Sequence, residues 1–268
     1  MARKKTIVKE KQIEEEQKEV MTFDFEDGSG PVPAHRHVFG GGWVADTAKV
    51  EDTVYVNKTA RIFGNAKVSG KVHVHGRARI FGNAEVYGDA QVLENASVFG
   101  NAKVYEYSSV YGHSEVFDDA QVYGRAMVFN DAKVFERARV YDYAHVKDSA
   151  RIYGDAQLHD DCVVYGHAEI HGQVTVFGHA QVFENAQVFE SAKVSGNAWV
   201  YGYATVFGEA KVYGHCRVFG ETKVSGGCKI YGDAFVYEES VVNGDSKVSG
   251  NARVYGNFLV TGSSVVTD

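Results

Sequence analysis

Residues 80–103 read IFGNAE-VYGDAQ-VLENAS-VFGNAK, and this pattern of six residues continues along most of the chain. An aliphatic residue returns at every sixth position from Val38 to Val266, 39 positions in all. It is valine except at Ile62, Ile80, Ile152, Leu158, Ile170 and Ile230. A short fixed period predicts a solenoid, in which each repeat packs against its neighbours. We therefore expect one repeat domain over residues 38–268, preceded by an appendage and linker over residues 1–37.

Each hexad combines the pattern of a strand with that of a turn. Position 6 is polar, position 1 aliphatic and position 2 often Tyr or Phe, which predicts a short strand with position 1 facing inward. Position 3 is often Gly and position 4 often Asn, Asp or His, residues that suit a turn. Position 5 is small in every hexad except at Phe258, which predicts tight packing inside a corner. The expected fold class is all-β.

The order of residues in the hexad resembles the hexapeptide repeat of left-handed parallel β-helices, a resemblance that covers residues 38–268. It implies three hexads per triangular coil, hence about 13 coils and a prism ~60 Å long at about 4.8 Å per coil. The segment PVPAHRHVFGGGWVADTA, residues 31–48, also resembles hexapeptide-repeat proteins of undefined role that are encoded by bacteria and phages.

Grouping the hexads by threes places aromatic residues in outward-facing columns. One column contains Phe63, Phe81, Phe99, Phe117, Phe135, Tyr153, Phe189 and Phe207. Rings one coil apart should stack into a ladder, which either only stiffens the solenoid or marks an interface. Left-handed β-helices are often trimers packed along a face, so the resemblance implies a homotrimer that buries this column.

A second column alternates tyrosines with basic residues. Position 2 supplies Tyr87, Tyr105, Tyr123, Tyr141, Tyr213 and Tyr231. Position 6 supplies Lys49, Lys67, Lys103, Arg139, Lys193, Lys211, Lys229 and Lys247. Charge and stacking together suit an extended anionic polymer or an acidic glycan. The alternative is a solvated face, because the chain has a net charge of −7.

Catalysis is only weakly indicated. The best-known enzymes with this repeat are acyl-CoA dependent acyltransferases, in which a histidine acts as general base in a cleft between subunits. That resemblance makes His113 and His167 the alternative catalytic residues, whereas the uninterrupted hexads lack the inserted loop of these enzymes. We therefore favour a non-enzymatic rod, of phage or bacterial origin by resemblance, which presents its ladders for self-assembly or for binding a partner or an anionic ligand.

Histidines also raise the question of a metal. The same repeat occurs in zinc carbonic anhydrases, and the nearest approximation to their three ligands is His145, His167 and His171. The pairs His35/His37 and His73/His75 each lack a third ligand, and zinc requires three or four. The sequence predicts no metal and no cofactor.

The cysteines and the hydropathy indicate the cellular environment of the protein. Cys162, Cys216 and Cys228 all occupy position 5, which predicts three buried, reduced thiols. No apolar run has the length of a membrane span, and the Lys-rich start lacks the apolar segment of a signal peptide. We expect a soluble protein in the cytoplasm, or one associated with the virion if a phage encodes it.

Both ends of a solenoid must be capped or left as open sheet edges. Residues 1–21 are charged and have the spacing of a short amphipathic helix, which could cap one end together with Trp43, or they form a frayed tail. At the other end Phe258 could plug the last coil. Leu259 and Val266 leave that end apolar, so we expect another copy or a partner protein to dock there.

Overall fold

A computed structural model describes residues 20–267, which form forty β-strands and no helix. The first three strands are β1 (Thr22–Asp24), β2 (Pro31–Arg36) and β3 (Trp43–Ala45). From β4 (Lys49–Val50) to β40 (Val265–Val266), each strand has two residues and begins six residues after the previous one. The all-β prediction is confirmed, and none of the described residues forms a helix that could span a membrane.

Every third strand pairs in parallel, as in the register Lys49↔Lys67 and Val50↔Val68, so three hexads form one coil. The strands make three sheets of 15, 13 and 12 strands. We call the one containing β3, β6 and every third strand to β39 the phenylalanine sheet, and the one running from β4 to β40 the lysine sheet. The remaining sheet, from β5 (Tyr55–Val56) to β38 (Arg253–Val254), is the mixed sheet. The result is a parallel β-solenoid of about twelve turns, close to the expected number.

The core is a continuous column of position 1 and position 5 side chains. From Val54 to Val248, valine, isoleucine and leucine at position 1 and alanine and cysteine at position 5 are almost completely buried. The prediction of inward position 1 residues is wrong at the first hexad, because Val38 lies in a turn and is 76% exposed. The regular core therefore starts at Val44.

A β-hairpin caps the N-terminal end of the phenylalanine sheet. Strand β2, which the two prolines led us to interpret as a linker, pairs antiparallel with both β1 and β3. Phe23 stacks on Trp43 at 4.3 Å, and the buried Phe25 stacks on Phe63 at 4.9 Å. Trp43 thus belongs to the cap as expected. The predicted helix over residues 1–21 lies almost entirely outside the described residues.

The corners depend on position 3, where the backbone turns with positive φ. Glycine usually occupies it, but Glu106, Asp118 and Glu136 also adopt φ of 55–60°. These carboxylates accept a backbone N–H from the equivalent corner one coil later, as from Glu136 Oε2 to Gly154 N at 2.9 Å and from Glu106 Oε2 to Gly124 N at 2.9 Å. The hydrogen bond offsets the strain of a left-handed residue with a Cβ atom.

The corner hydrogen bond predicts that, at residue 136, a glycine variant is more stable than an alanine variant. Glu136→Ala removes the acceptor but keeps the left-handed strain, so it should reduce the free energy of unfolding by about 1 kcal/mol. Glu136→Gly removes the acceptor and the strain together, and should be the more stable variant by about 1 kcal/mol. Urea unfolding of the three proteins measures this order. An alanine variant as stable as the glycine variant would contradict the proposed strain.

Candidate functional site

The phenylalanine column lies on the outer face of its sheet as a stack of parallel rings. Neighbouring rings from Phe63 to Phe135 are 4.8–4.9 Å apart and within 5° of parallel. Phe63 is only 3% exposed, because Phe25 of the same chain covers it, so it offers no ring to a second copy. The rings of Phe81, Phe99 and Phe117 are half-buried by stacking.

Histidines complete two of the aromatic columns, which the sequence interpretation missed. His171 stacks between Tyr153 at 4.7 Å and Phe189 at 5.3 Å. On the lysine sheet, His159 stacks between Tyr141 at 5.0 Å and Phe177 at 5.1 Å. The signal is that both histidines occupy position 2, whereas from the sequence we considered His171 only as a metal ligand and assigned His159 no role.

The N-terminal half of the lysine sheet carries the tyrosine stack and a local charge balance. Tyr87, Tyr105, Tyr123 and Tyr141 stack at 4.8–4.9 Å, and burial raises the pKa of Tyr105 to about 12. Lys67 and Lys103 both pair with Glu85, at 2.8 Å and 3.2 Å, and these hydrogen bonds lower the pKa of Glu85. Two of the predicted anion-binding lysines therefore share one carboxylate, which offsets half of their combined charge.

The C-terminal half of the same sheet carries four lysines on consecutive strands. Their register is Lys193↔Lys211, Lys211↔Lys229 and Lys229↔Lys247, and we call this set the lysine ladder. None of the four makes an ion pair with another described residue. The rings of Tyr213 and Tyr231 stack beside the ladder at 5.1 Å. Like charges directly opposite each other destabilise a sheet. Because none of the four lysines has an ion-pair partner among the described residues, the ladder is a cationic strip that an anion would stabilise.

The predicted catalytic histidines lie on exposed corners. The side chain of His113 is 70% exposed, with Nε2 at 3.2 Å from Asn95 Nδ2 and Nδ1 at 4.0 Å from Asp131. His167 occupies an equivalent exposed corner, where its backbone N–H binds the carbonyl of Glu184. The Asn95 amide is the hydrogen-bond partner of the His113 ring, whereas the His167 ring has none among residues 20–267.

The possible metal ligands are distributed differently from the sequence interpretation. Within residues 20–267, His145, His167 and His171 do not form a ligand group, whereas Asp142, His159 and Asp160 have ligand atoms within 4.8 Å of one another. Asp160 accepts a hydrogen bond from Gly178 N at 3.0 Å, which lowers the pKa of its carboxyl.

The other histidine pairs offer no such group. His35 binds Asp46 at 2.8 Å, His37 is buried beneath the turn that follows β2, and His73 and His75 lie beside the ring of Tyr55.

The C-terminal end of the solenoid is apolar and exposed. Phe258 is 57% exposed, so the prediction that it plugs the last coil is wrong. Leu259 and Val265, on the last strands of the phenylalanine and lysine sheets, are 60% and 63% exposed. The plug fails because a phenylalanine is too large for the corner and turns outward instead.

Three segments match one protein-family model, described as the YdcK Beta solenoid repeat: residues 60–76, 120–136 and 247–262. The chain is a β-solenoid. The three matches lie at the start, middle and end of the regular coils and, together with the parallel 18-residue coils, are consistent with a β-helix of the hexapeptide-repeat type. A search of curated proteins found no match to the chain.

Proposed function

We propose that this β-solenoid is a rigid, non-catalytic rod that binds an extended anionic polymer along the lysine ladder. The observation that supports the proposal is the run of four unpaired lysines on consecutive strands, beside the stacked rings of Tyr213 and Tyr231. At the other end of the same sheet the described lysines are interrupted by Glu85, which pairs with both Lys67 and Lys103.

The shape of the surface favours a polymer over a small molecule. Strands in a sheet are about 4.8 Å apart, so the four ammonium groups span roughly 14 Å along the rod. Each strand of the ladder has two residues and is followed by a corner of four, so no inserted loop interrupts the row of lysines. A compact ligand can contact only one or two of these charges, whereas a linear polyanion contacts all four at once and releases its counterions.

The rigidity of the rod matters for the same reason. Backbone hydrogen bonds connect each coil to the next at the strands and at the corners, as from Lys211 N to Cys228 O and from Tyr213 N to Ile230 O. The lysines therefore keep their spacing without a ligand, and binding orders only their side chains.

The test compares two double variants with the same change in charge on the same sheet. Lys211→Gln/Lys229→Gln removes the centre of the ladder, and Lys67→Gln/Lys103→Gln removes the two lysines that pair with Glu85, outside the ladder. With dextran sulfate as the probe, we expect the first variant to bind about ten-fold or more weakly, with a shallower dependence on salt. The second should bind like the wild type. Equal losses in both, or no saturable binding by the wild type, would reject the proposal.

A homotrimer that packs along the phenylalanine column stays a prediction. Only the part of the column from Phe81 onward could contact another copy, because Phe25 covers Phe63.

A further inference from the structure

The N-terminal hairpin and the first coils line an open cavity of about 660 Å³. Phe23, Glu26 and Trp43 form its wall on the hairpin side, and the corner between the mixed and phenylalanine sheets forms the opposite wall. The basic residues that line it are Lys58, Arg61, Arg77 and Arg79. This concentration of positive charge is notable in a chain with a net charge of −7.

The hairpin holds two of these arginines in place. Arg61 and Arg79 are directly opposite each other in the register of the phenylalanine sheet, an arrangement that like charges disfavour. The carbonyl oxygen of Phe25 accepts hydrogen bonds from Arg61 Nη1 at 3.4 Å and from Arg79 Nη2 at 3.3 Å. Since Phe25 is itself buried against Phe63, this carbonyl is fixed.

Most of the positive charge in the cavity has no anionic partner. Among the described residues Glu26 is the one acid on its wall, and it pairs with Arg61 at 2.9 Å. The side chains of Lys58 and Arg77 make no hydrogen bond or ion pair with the rest of residues 20–267. Arg79 Nε is buried and has no hydrogen-bond partner. Three cationic side chains, those of Lys58, Arg77 and Arg79, therefore line the cavity without an ion-pair partner among the described residues.

We propose that this cavity binds the phosphate group of a phosphomonoester. A phosphomonoester carries nearly two negative charges at neutral pH, which suits three uncompensated cations better than a carboxylate with one. Arginine donates two parallel hydrogen bonds to phosphate oxygens, and lysine adds a point charge.

The aromatic wall indicates which part of the ligand is recognised. Phe23 stacks against Trp43 at 4.3 Å, and the guanidinium of Arg36 lies over the indole at 4.0 Å from its centroid. With these two groups packed on the indole, recognition comes from the charge of the ligand rather than from stacking on a planar ring. The cavity is larger than one phosphate group and leaves room for an organic substituent.

The experiment is a titration of the full chain with inorganic phosphate, glycerol phosphate and acetate at matched ionic strength. Calorimetry measures binding, and thermal unfolding measures the change in stability. Both phosphates should bind saturably and raise the unfolding temperature, and acetate should not. Arg77→Gln should weaken phosphate binding about ten-fold or more, since Arg77 has no structural partner to lose. Stronger binding of glycerol phosphate than of inorganic phosphate would identify the ester as the better ligand.

Arg125→Gln is the matched control. Arg125 occupies the same position of its hexad as Arg77, but it lies between Tyr107 and Tyr143 on another corner. This variant should bind phosphate like the wild type. Lys211→Gln/Lys229→Gln should also bind phosphate normally, which separates this site from the lysine ladder. Equal affinity in Arg77→Gln and Arg125→Gln, or no saturable phosphate binding by the folded wild type, would overturn the proposal.

Discussion

Between about pH 8.5 and pH 10 the protein should lose stability steeply, and its three cysteines should be the main cause. Cys162, Cys216 and Cys228 are completely buried at position 5 of their hexads. Burial raises the pKa of Cys162 and of Cys216 to about 12, and that of Cys228 to about 11. In the unfolded chain a cysteine thiol has a pKa near 8.5, so folding and deprotonation oppose each other in this range.

The direction of the effect depends on which state holds more protons. Below about pH 8 the thiols are protonated in both states, and they add no pH dependence. Above about pH 8.5 the unfolded chain has lost these protons while the folded chain keeps them, so the free energy of unfolding falls as the pH rises. Each thiol contributes about 1.4 kcal/mol per pH unit, or roughly 4 kcal/mol per pH unit for all three.

Urea unfolding at a series of pH values measures this slope, and the chain offers a natural control. Alanine is the usual residue at position 5, so Cys162→Ala/Cys216→Ala/Cys228→Ala should fold into the same coils. Its stability should fall much less between pH 8.5 and pH 10. Above pH 10 the half-buried tyrosines, among them Tyr105 whose pKa is raised to about 12, add a slope of the same sign in both proteins. Identical slopes would show that the thiols do not ionise on unfolding as expected.

The second large effect should follow from shortening one core side chain in the middle of the rod. Ile152 is completely buried and lies between Val134 and Ile170 in the register of the phenylalanine sheet. Ile152→Ala leaves a cavity that the hydrogen-bonded coils on either side cannot close, and should cost about 2–5 kcal/mol. Ile152→Val restores the residue that most hexads have at this position, and should cost about 0.5–1.5 kcal/mol.

Denaturant unfolding of the two variants tests whether the core is as closely packed as the structure indicates. A loss below about 1 kcal/mol in Ile152→Ala would mean that the neighbouring coils collapse into the space. Each coil contacts only its neighbours. Relative to the wild type, Ile152→Ala should therefore lose most hydrogen-exchange protection in the coils that contain Val134, Ile152 and Ile170.

The six-residue period was sufficient to predict the class of the fold and the inward side chains. A strand alternates its side chains, so the aliphatic series had to share one face, and Val116, Ile152 and Leu158 are indeed fully buried. A bend leaves little room inside, so the small residues at position 5 had to be the corner, as Ala120 and Cys162 are. The family resemblance added the coil of three hexads.

The cap could not be predicted in the same way, because it lies outside the repeat. Pro31 and Pro33 lack the N–H of an ordinary strand residue, so their segment was interpreted as a linker. In the structure Pro33 uses its carbonyl oxygen, which accepts a hydrogen bond from Asp46 N at 3.0 Å. The pairing of Ala34 with Ala45 is a contact through space that no local pattern indicates.

The sequence by itself therefore determined what repeats: the inward valines, the small corners, the buried thiols and the columns of rings and lysines. Only the tertiary structure decided which side chains pair with, or cover, one another. Glu85 pairs with both Lys67 and Lys103 while the four lysines of the ladder remain unpaired, and the hairpin brings Phe23 and Glu26 over the basic corner. The physical reason is that a period specifies the direction of each side chain, whereas pairing and burial depend on groups that are distant in sequence and adjacent in space.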